Sequence, residues 1–277
     1  GAGPVYAPDR ERTVLEQVRK VNQGPLPDSC VEAIWRELMS GSFALERPLR
    51  VGYLGPQGSF SHVAARKKFG ASVDYDNLDT IAAVFEQIAR GHIDYGLVPI
   101  ENSAIGGVGE TQDSFLNSPV QVCAEVLINI HHNLLANLAA SGPDQIERIY
   151  SKPEALAQCR KWLSVQLQHA EKIAVASTSK AAELASREQG SAAIASRLAG
   201  EIYGLKVQYA SIEDNPHNST RFVVIGTQTS KPTGDDKTSL MFTTEHRAGA
   251  LTNVLDVFRD YGINLTHIDK RPSQRVN

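Results

Sequence analysis

Only three of the 277 residues are cysteines, Cys30, Cys123 and Cys159. They are odd in number, scattered and without metal-ligand spacing. That excludes a disulfide scaffold and a cysteine-based zinc site, and makes a reducing cytoplasm the expected compartment. Charge of one sign is lacking too: 28 Lys and Arg stand against 31 Asp and Glu, a net charge of −3. No basic field therefore draws the chain to nucleic acid or anionic lipid. No apolar run approaches the roughly 18 residues of a membrane span, and no signal-type apolar segment opens the chain. An initiating methionine is absent; the chain opens Gly1-Ala2-Gly3, read here as a fragment or processed form. The eight histidines show no metal spacing, and His131-His132, being adjacent, would face opposite sides of a strand. There is no internal repeat and no low-complexity tract. What is present, 42% hydrophobic and 21% charged residues, describes a globular chain with a proper core that acts on a small molecule.

Three stretches differ in pattern. Up to about residue 42 the periodicity is helical. Val14, Leu15, Val18 and Val21 follow a helix start at Pro8-Asp9, and Gly24-Pro25-Leu26-Pro27 ends that helix. Ser29-Cys30-Val31-Glu32 then has capping-box form, and Val31, Ile34, Trp35, Leu38 and Met39 make one apolar stripe. Two such helices have too small a core to stand alone, and need the rest of the chain or a second copy. From residue 50 to about 226, short apolar runs alternate with amphipathic helices. Strands are expected at 50–54, 95–100, 125–130, 148–151, 172–176, 192–195, 206–210 and 221–225. The clearest helices span 80–90, 153–163 and 179–188. This alternation marks an α/β domain with largely parallel strands and a ligand crevice beyond strand ends. A polar stretch at 227–236 reads as a linker. Strand 238–243, helix 249–261 and strand 263–268 follow it, too little sheet to be stable alone.

Several segments carry polar groups where chemistry is expected. Gly55-Pro56-Gln57-Gly58-Ser59-Phe60-Ser61 links a strand to a helix. Its glycines permit close backbone approach, and the helix start favours an anion. It fits neither the P-loop nor the dinucleotide fingerprint, and an ordinary turn explains it equally well. The strand 97–100 runs into Glu101-Asn102-Ser103 and a Gly106-Gly107 turn. Polar groups at a strand's C-terminal end are where an α/β site is expected, although a cap and turn account for Ser103 and the glycines. Ser177-Thr178-Ser179 reads first as a helix cap whose N–H groups also suit a carboxylate. Ser151 and Gln158 flank another strand-to-helix turn. Asn218-Ser219-Thr220-Arg221-Phe222 enters a strand, with Arg221 a fork for a carboxylate and Thr220 a hydroxyl donor. His217 reads as solvated surface.

In order and spacing these segments resemble the prephenate dehydratases, as found in bifunctional chorismate mutase–prephenate dehydratases, and the similarity covers essentially the whole chain. The resemblance implies a two-lobed α/β fold like that of periplasmic binding proteins, with the active site between lobes. Residues 50–122 and the return through 209–226 would share one lobe. It implies four regions: partial all-α mutase helices (1–47), the dehydratase (48–228), a linker (229–236) and a partial α+β ACT regulatory domain (237–277). It assigns Thr220, Arg221 and Phe222 to catalysis. Ser59, Phe60, Glu101, Asn102, Ser103, Ser151, Gln158, Ser177 and Thr178 are assigned to substrate binding. Ala176 stands where the family can carry a glutamate. Arg10, Glu11, Ser42 and Glu46 fall at mutase active-site positions, but the family's basic first helix is absent, so mutase activity is expected to be lost. Gly249, Ala250 and Leu251 match the family's effector turn for L-phenylalanine. Asp269, Lys270, Arg271 and Pro272 stand where the family has Glu-Ser-Arg-Pro.

The reaction so implied is decarboxylating dehydration of prephenate to phenylpyruvate, in L-phenylalanine biosynthesis. Aromatisation drives it, so no metal or organic cofactor is expected. Thr220 would assist the leaving hydroxyl, and Arg221 with the N–H groups at 177–178 would hold carboxylates. Two alternatives remain open: the same chemistry on arogenate, and a non-catalytic two-lobed module that binds an aromatic acid. A homo-oligomer is expected. L-phenylalanine is the effector that the resemblance implies, but with only part of the ACT domain in the chain its inhibition is expected to be weak or absent.

Overall fold

The computed structural model describes residues 6–137 and 143–271. The chain separates into two units, Gly1–Lys231 and Pro232–Asn277. The first unit begins with α1 (Pro8–Val21) and α2 (Asp28–Glu46). The first lobe then runs through β1 (Arg50–Leu54), α3 (Phe60–Phe69), β2 (Asp74–Leu78), α4 (Ile81–Ala89), β3 (Tyr95–Asn102), β4 (Gly106–Gly107), α5 (Gly109–Leu116) and β5 (Gln121–Asn129). The second lobe holds β6 (Asn133–Ala136), β7 (Arg148–Ser151), α6 (Pro153–Gln158), α7 (Arg160–Gln166), β8 (Glu171–Ala174), α8 (Thr178–Arg187), β9 (Ser191–Ala195), α9 (Arg197–Tyr203) and β10 (Lys206–Tyr209). The chain returns to the first lobe as β11 (Ser219–Gly226).

The sheets run β2-β1-β3-β11-β5 and β10-β6-β9-β7-β8, so the chain crosses between lobes twice. The crossings lie at 130–132 and 210–218. All of β5 therefore stays in the first lobe, and Tyr209 belongs to the second, later on both counts than the boundaries expected at 122 and 209. Both sheets are mixed where largely parallel ones were expected. The pairs β1–β2, β1–β3, β7–β8 and β7–β9 are parallel, but β11 lies antiparallel between β3 and β5, and β6 antiparallel to β9 and β10. The antiparallel pairs follow from the crossings: a strand that enters from the other lobe arrives in reverse sense.

Alternation along the strands divides each lobe into two cores. In β11, Phe222 and Val224 pack with Tyr53, Phe69 and Leu97, whereas Val223 and Ile225 pack with Val84, Phe85 and Ile88 of α4. In the second lobe Ile194 packs with Ile149 and Leu163, and Ala193 with Ala181, Ala182 and Ala185 of α8. Small side chains let that helix lie close to the sheet. Burying a Leu, Ile, Val or Phe side chain contributes about 1.5–3 kcal/mol each, so these layers make the lobes stiff platforms for loops between them.

The N-terminal helices dock on the first lobe. Tyr6 is buried among Phe43, Phe69 and Tyr95, and Tyr95 Oη donates to its carbonyl. Glu37 and Ser40 of α2 accept the N–H groups of Ala71 and Ser72. The apolar stripe is not what docks: Ile34 and Leu38 remain 52% and 57% exposed. Helix α2 starts at Asp28 with Pro27 as its cap and no side-chain cap bond, so the Ser29 capping box does not form. Helix 153–163 breaks at Cys159, and the Asp214 carboxylate from the return crossing accepts the Lys161 and Trp162 N–H groups.

In the second unit the helix forms as α10 (Ala250–Asp260), but residues 238–243 and 263–268 are not strands. Two short strands without further sheet are marginal in water. Leu240, Met241, Ile263 and Ile268 are exposed there, so no packed face compensates.

Candidate active site

The polar residues gather where the two crossings meet the strand ends. Thr220, the second residue of β11, lies directly opposite Asn102, the last residue of β3. Asn102 Nδ2 donates to Thr220 Oγ1 at 2.7 Å and to Asn218 Oδ1 at 3.2 Å. Asn218 Nδ2 donates to Gln158 Oε1 at 3.1 Å, which carries the chain of bonds into the second lobe. Gln158 Oε1 also meets His132 Nε2 at 2.7 Å. His132 lies in the outgoing crossing, buried, with Phe60 edge-on at 5.7 Å between ring centroids. Burial holds its imidazole below the ordinary histidine value, more than the Gln158 bond raises it.

The orientation of this network is fixed by the backbone. Asn102 Oδ1 accepts the N–H of Ala104 at 2.9 Å, a donor that cannot reverse. Its NH2 group must therefore face Thr220 and Asn218, and Thr220 Oγ1 is an acceptor from Asn102. The hydroxyl hydrogen of Thr220 is left to donate elsewhere. Ser103 reinforces the same corner by accepting the Ser219 N–H at 2.9 Å and reaching Asn218 Oδ1 at 3.4 Å.

A second set of contacts joins the lobes beside Phe60. Ser59 caps α3, and Gly58 N–H donates to His62 Nδ1 at 3.1 Å. His62 stacks on Tyr53, and burial pushes its pKa down to about 4. The carbonyl of Gly58 accepts from Ser196 Oγ at 2.7 Å, and that of Gln57 from Ser179 Oγ. Gly58 has φ +80°, and a Cβ there would meet Ala199 Cα at 2.9 Å, so glycine is required twice over. These contacts bring the first turn of α8 beside the Ser59–Phe60 turn. Ser177 caps that helix by accepting the Lys180 N–H, and Thr178 is its first residue. Early N–H groups of a helix have no intrahelical partner and favour an anion. In the return crossing Glu213 accepts from the His132 N–H at 2.9 Å and meets His131 Nδ1 at 2.7 Å, tying one crossing to the other.

Not every expected residue joins this cluster. Arg221 follows Thr220 along β11 and so lies on the opposite face, with Val223 and Ile225. There its guanidinium engages Glu101 and lies 3.6 Å from Glu125. The fork expected for a substrate carboxylate is thus occupied by a protein carboxylate, and Glu101 is turned away with it. Phe222 is 2% exposed in the core beneath the site. Ser151 is fully buried and donates to the Ile194 carbonyl, tying β7 to β9. Among the mutase positions, Glu11 is buried between Tyr6 Oη (2.9 Å) and Lys68 Nζ (2.8 Å). Ser42 donates to the Leu38 carbonyl, Arg10 is exposed, and Glu46 ends α2. In the second unit Gly249, with φ +82°, caps α10, which Ala250 and Leu251 begin. Asp269 and Arg271 are exposed, and Pro272 lies outside the described residues.

Sequence reasoning assigned no site role to His132 or Ser196, and named Asn218 and Ser179 only as parts of their motifs. Asn218 was within reach, because it precedes Thr220 by two and shares its face of the strand. His132 was not: its partner Gln158 lies 26 residues away across the lobe boundary. Among the described residues no three His, Cys, Asp or Glu side chains cluster as metal ligands, and no helix is long and apolar enough to cross a membrane.

A family model described as prephenate dehydratase matches residues 51–230, and one described as chorismate mutase type II matches residues 1–47. The bifunctional chorismate mutase/prephenate dehydratase of Stutzerimonas stutzeri is 46% identical over 269 residues, 97% of this chain and 73% of that protein. Its counterpart in Pseudomonas aeruginosa is 45% identical over 275 residues, 99% and 75% of the two chains. Among solved structures, the prephenate dehydratase of Arthrobacter aurescens in complex with L-Phe matches with a TM-score of 0.71 at 29% identity, over 82% of this chain and 76% of that one.

Proposed function

The chain belongs to the prephenate dehydratase family, and from that premise we propose that Thr220 is the hydrogen-bond donor to the departing hydroxyl, whose proton comes from solvent, in the conversion of prephenate to phenylpyruvate, carbon dioxide and water. The observation that carries this reading is the fixed orientation of Asn102, which leaves the Thr220 hydrogen unspent. The ring carbon–oxygen bond breaks with its electron pair on the departing hydroxyl, which leaves as water once it has taken a proton. The bond to the ring carboxylate breaks with its pair passing into the ring, completing the aromatic system and releasing carbon dioxide. Thr220 donates its hydrogen bond to the departing oxygen as negative charge grows there. A threonine hydroxyl is a very weak acid, so its contribution is a bond that strengthens in the transition state.

The substrate is a dianion. We assign one carboxylate to the first turn of α8, at Ser177 and Thr178, where helix-start N–H groups lie beside the interlobe turn. Gln158 and Asn102 orient the ring and side chain, and Phe60 covers the His132 edge of the site. We assign Arg221 a positioning role instead: with Glu101 and Glu125 it ties β11 to β3 and β5 beneath Thr220. In the second unit we keep Gly249, Ala250 and Leu251 as an effector turn for L-phenylalanine, supported by the left-handed conformation of Gly249 at the start of α10, where Ala250 is buried and Leu251 exposed.

The test is direct. The purified chain is incubated with prephenate, and phenylpyruvate is followed by absorbance, with the amino analogue arogenate as comparator. Turnover of prephenate that is lost in Thr220→Val supports the reading. No phenylpyruvate from the parent chain overturns it.

A further inference from the structure

The orientation of the network has a second end, at Gln158. Asn218 Oδ1 accepts from Asn102, so Asn218 Nδ2 is the donor toward Gln158, and the Gln158 atom it meets must be the carbonyl oxygen. That same oxygen lies 2.7 Å from His132 Nε2, which must therefore carry the imidazole hydrogen. His132 Nδ1 is then bare, and it is buried without a partner among the described residues. With its oxygen held by two donors, Gln158 turns its NH2 group the other way. That group has no partner among the described residues and, on a half-buried side chain, stays open to solvent.

We infer that His132 is a positioning residue for the dehydratase reaction: its Nε2–H pins the Gln158 carbonyl inward, so that the Gln158 NH2 faces a carboxylate of the substrate. The inference rests on the dehydratase reading above. An amide presents a donor at one end and an acceptor at the other, and only the donor end suits a dianion. Asn218 alone, at 3.1 Å, holds Gln158 by the longer of its two bonds. Without His132 the amide is free to reverse and set its carbonyl oxygen against the carboxylate. Thr220 is not affected in the same way, because the Ala104 N–H fixes its end of the network independently. Losing His132 therefore weakens substrate binding while the chemical step persists.

The experiment compares the full chain with His132→Leu and His132→Gln in steady-state turnover of prephenate. Leucine removes the donor, and KM is expected to rise about tenfold, the effect of one hydrogen bond to a charged group, with kcat within about threefold. Glutamine offers an amide N–H near the place of Nε2 and is expected to restore most of the KM. An unchanged KM in His132→Leu, a fall confined to kcat, or no recovery in His132→Gln overturns the inference. A second measurement needs no variant: nitrogen-15 NMR of histidine-labelled parent chain at neutral pH. A neutral ring protonated at Nε2 supports the proposal, and one protonated at Nδ1 overturns it. A parent chain that forms no phenylpyruvate defeats the dehydratase reading itself, a result the ring tautomer does not depend on.

Discussion

Two consecutive residues of β11 work in opposite electrostatic settings. On the Thr220 face the groups are neutral and joined by directed hydrogen bonds: Asn102, Asn218, Gln158 and two histidines whose values burial lowers. On the Arg221 face one guanidinium lies among two carboxylates, Glu101 and Glu125. The neutral hydrogen-bonded groups present a donor, Thr220, with its hydrogen uncommitted. The charged face ties three strands together through the terminal nitrogens of Arg221, one on Glu101 and one near Glu125, while its Nε is buried without a partner. On the proposed reading, strand alternation sets chemistry and support one residue apart.

The most severe break in this comparison is Thr220→Val, which keeps the shape of the side chain and removes the hydroxyl. We expect kcat to fall on the order of 10²-fold or more with KM little changed, since a donor at the reacting centre typically contributes that much. Near-parental kcat would remove Thr220 from the chemistry. Next comes Asn102→Asp. A carboxylate still accepts the Ala104 N–H but can only accept from Thr220, so it captures the hydroxyl hydrogen. An expected loss of about tenfold in kcat tests the orientation of the network, and an unaltered kcat would contradict it.

Arg221→Lys sharpens the other side. A lysine keeps the charge but cannot span both glutamates. Because the fork holds protein carboxylates, we expect kcat/KM within about threefold of the parent and a melting temperature lower by about 2–4 °C, the equivalent of roughly 1 kcal/mol. A 10²-fold loss of kcat/KM at unchanged melting temperature would place Arg221 on the substrate.

The smallest effect concerns His62→Gln. The folded imidazole titrates at about 4, against 6.5 for an unperturbed histidine. Between those values the unfolded chain binds more protons than the folded one. Stability is therefore full above about pH 6.5 and declines as the pH falls toward 4. Glutamine should flatten the melting temperature across that window. His132 is shifted in the same direction, so the flattening is partial. An unchanged slope would mean that His62 is not held neutral.

Much of the fold was legible in local pattern. β1 and β7 have the bounds read from sequence, and α1, α4 and α8 lie within a residue or two of expectation. Edge strand β2, Asp-Tyr-Asp-Asn-Leu, was missed because its partly exposed side chains lack an apolar face. β6 was missed because four consecutive buried residues show no alternation. The opposite error occurred at 238–243 and 263–268, where local pattern favours strands that no further sheet supports. In the site, Thr220, Asn102 and Gln158 were legible through resemblance. The pairing of Arg221 with Glu101 was not, because it depends on a register that shifts at the bulge between Arg221 and Phe222. Sequence lists the polar groups; which of them are already committed to each other is a property of register.

The turn at Gln57–Gly58 has a consequence for the resting population of the molecule. Its two carbonyls accept hydroxyl hydrogens from Ser179 and Ser196 of the other lobe, so separating the lobes breaks both bonds. At about 1 kcal/mol net for each, these two bonds by themselves favour the latched form by about thirtyfold. A ligand that can enter only the unlatched minority has its apparent Kd raised by the same factor. The serines that shape the resting enzyme thereby set how often it is available to be filled.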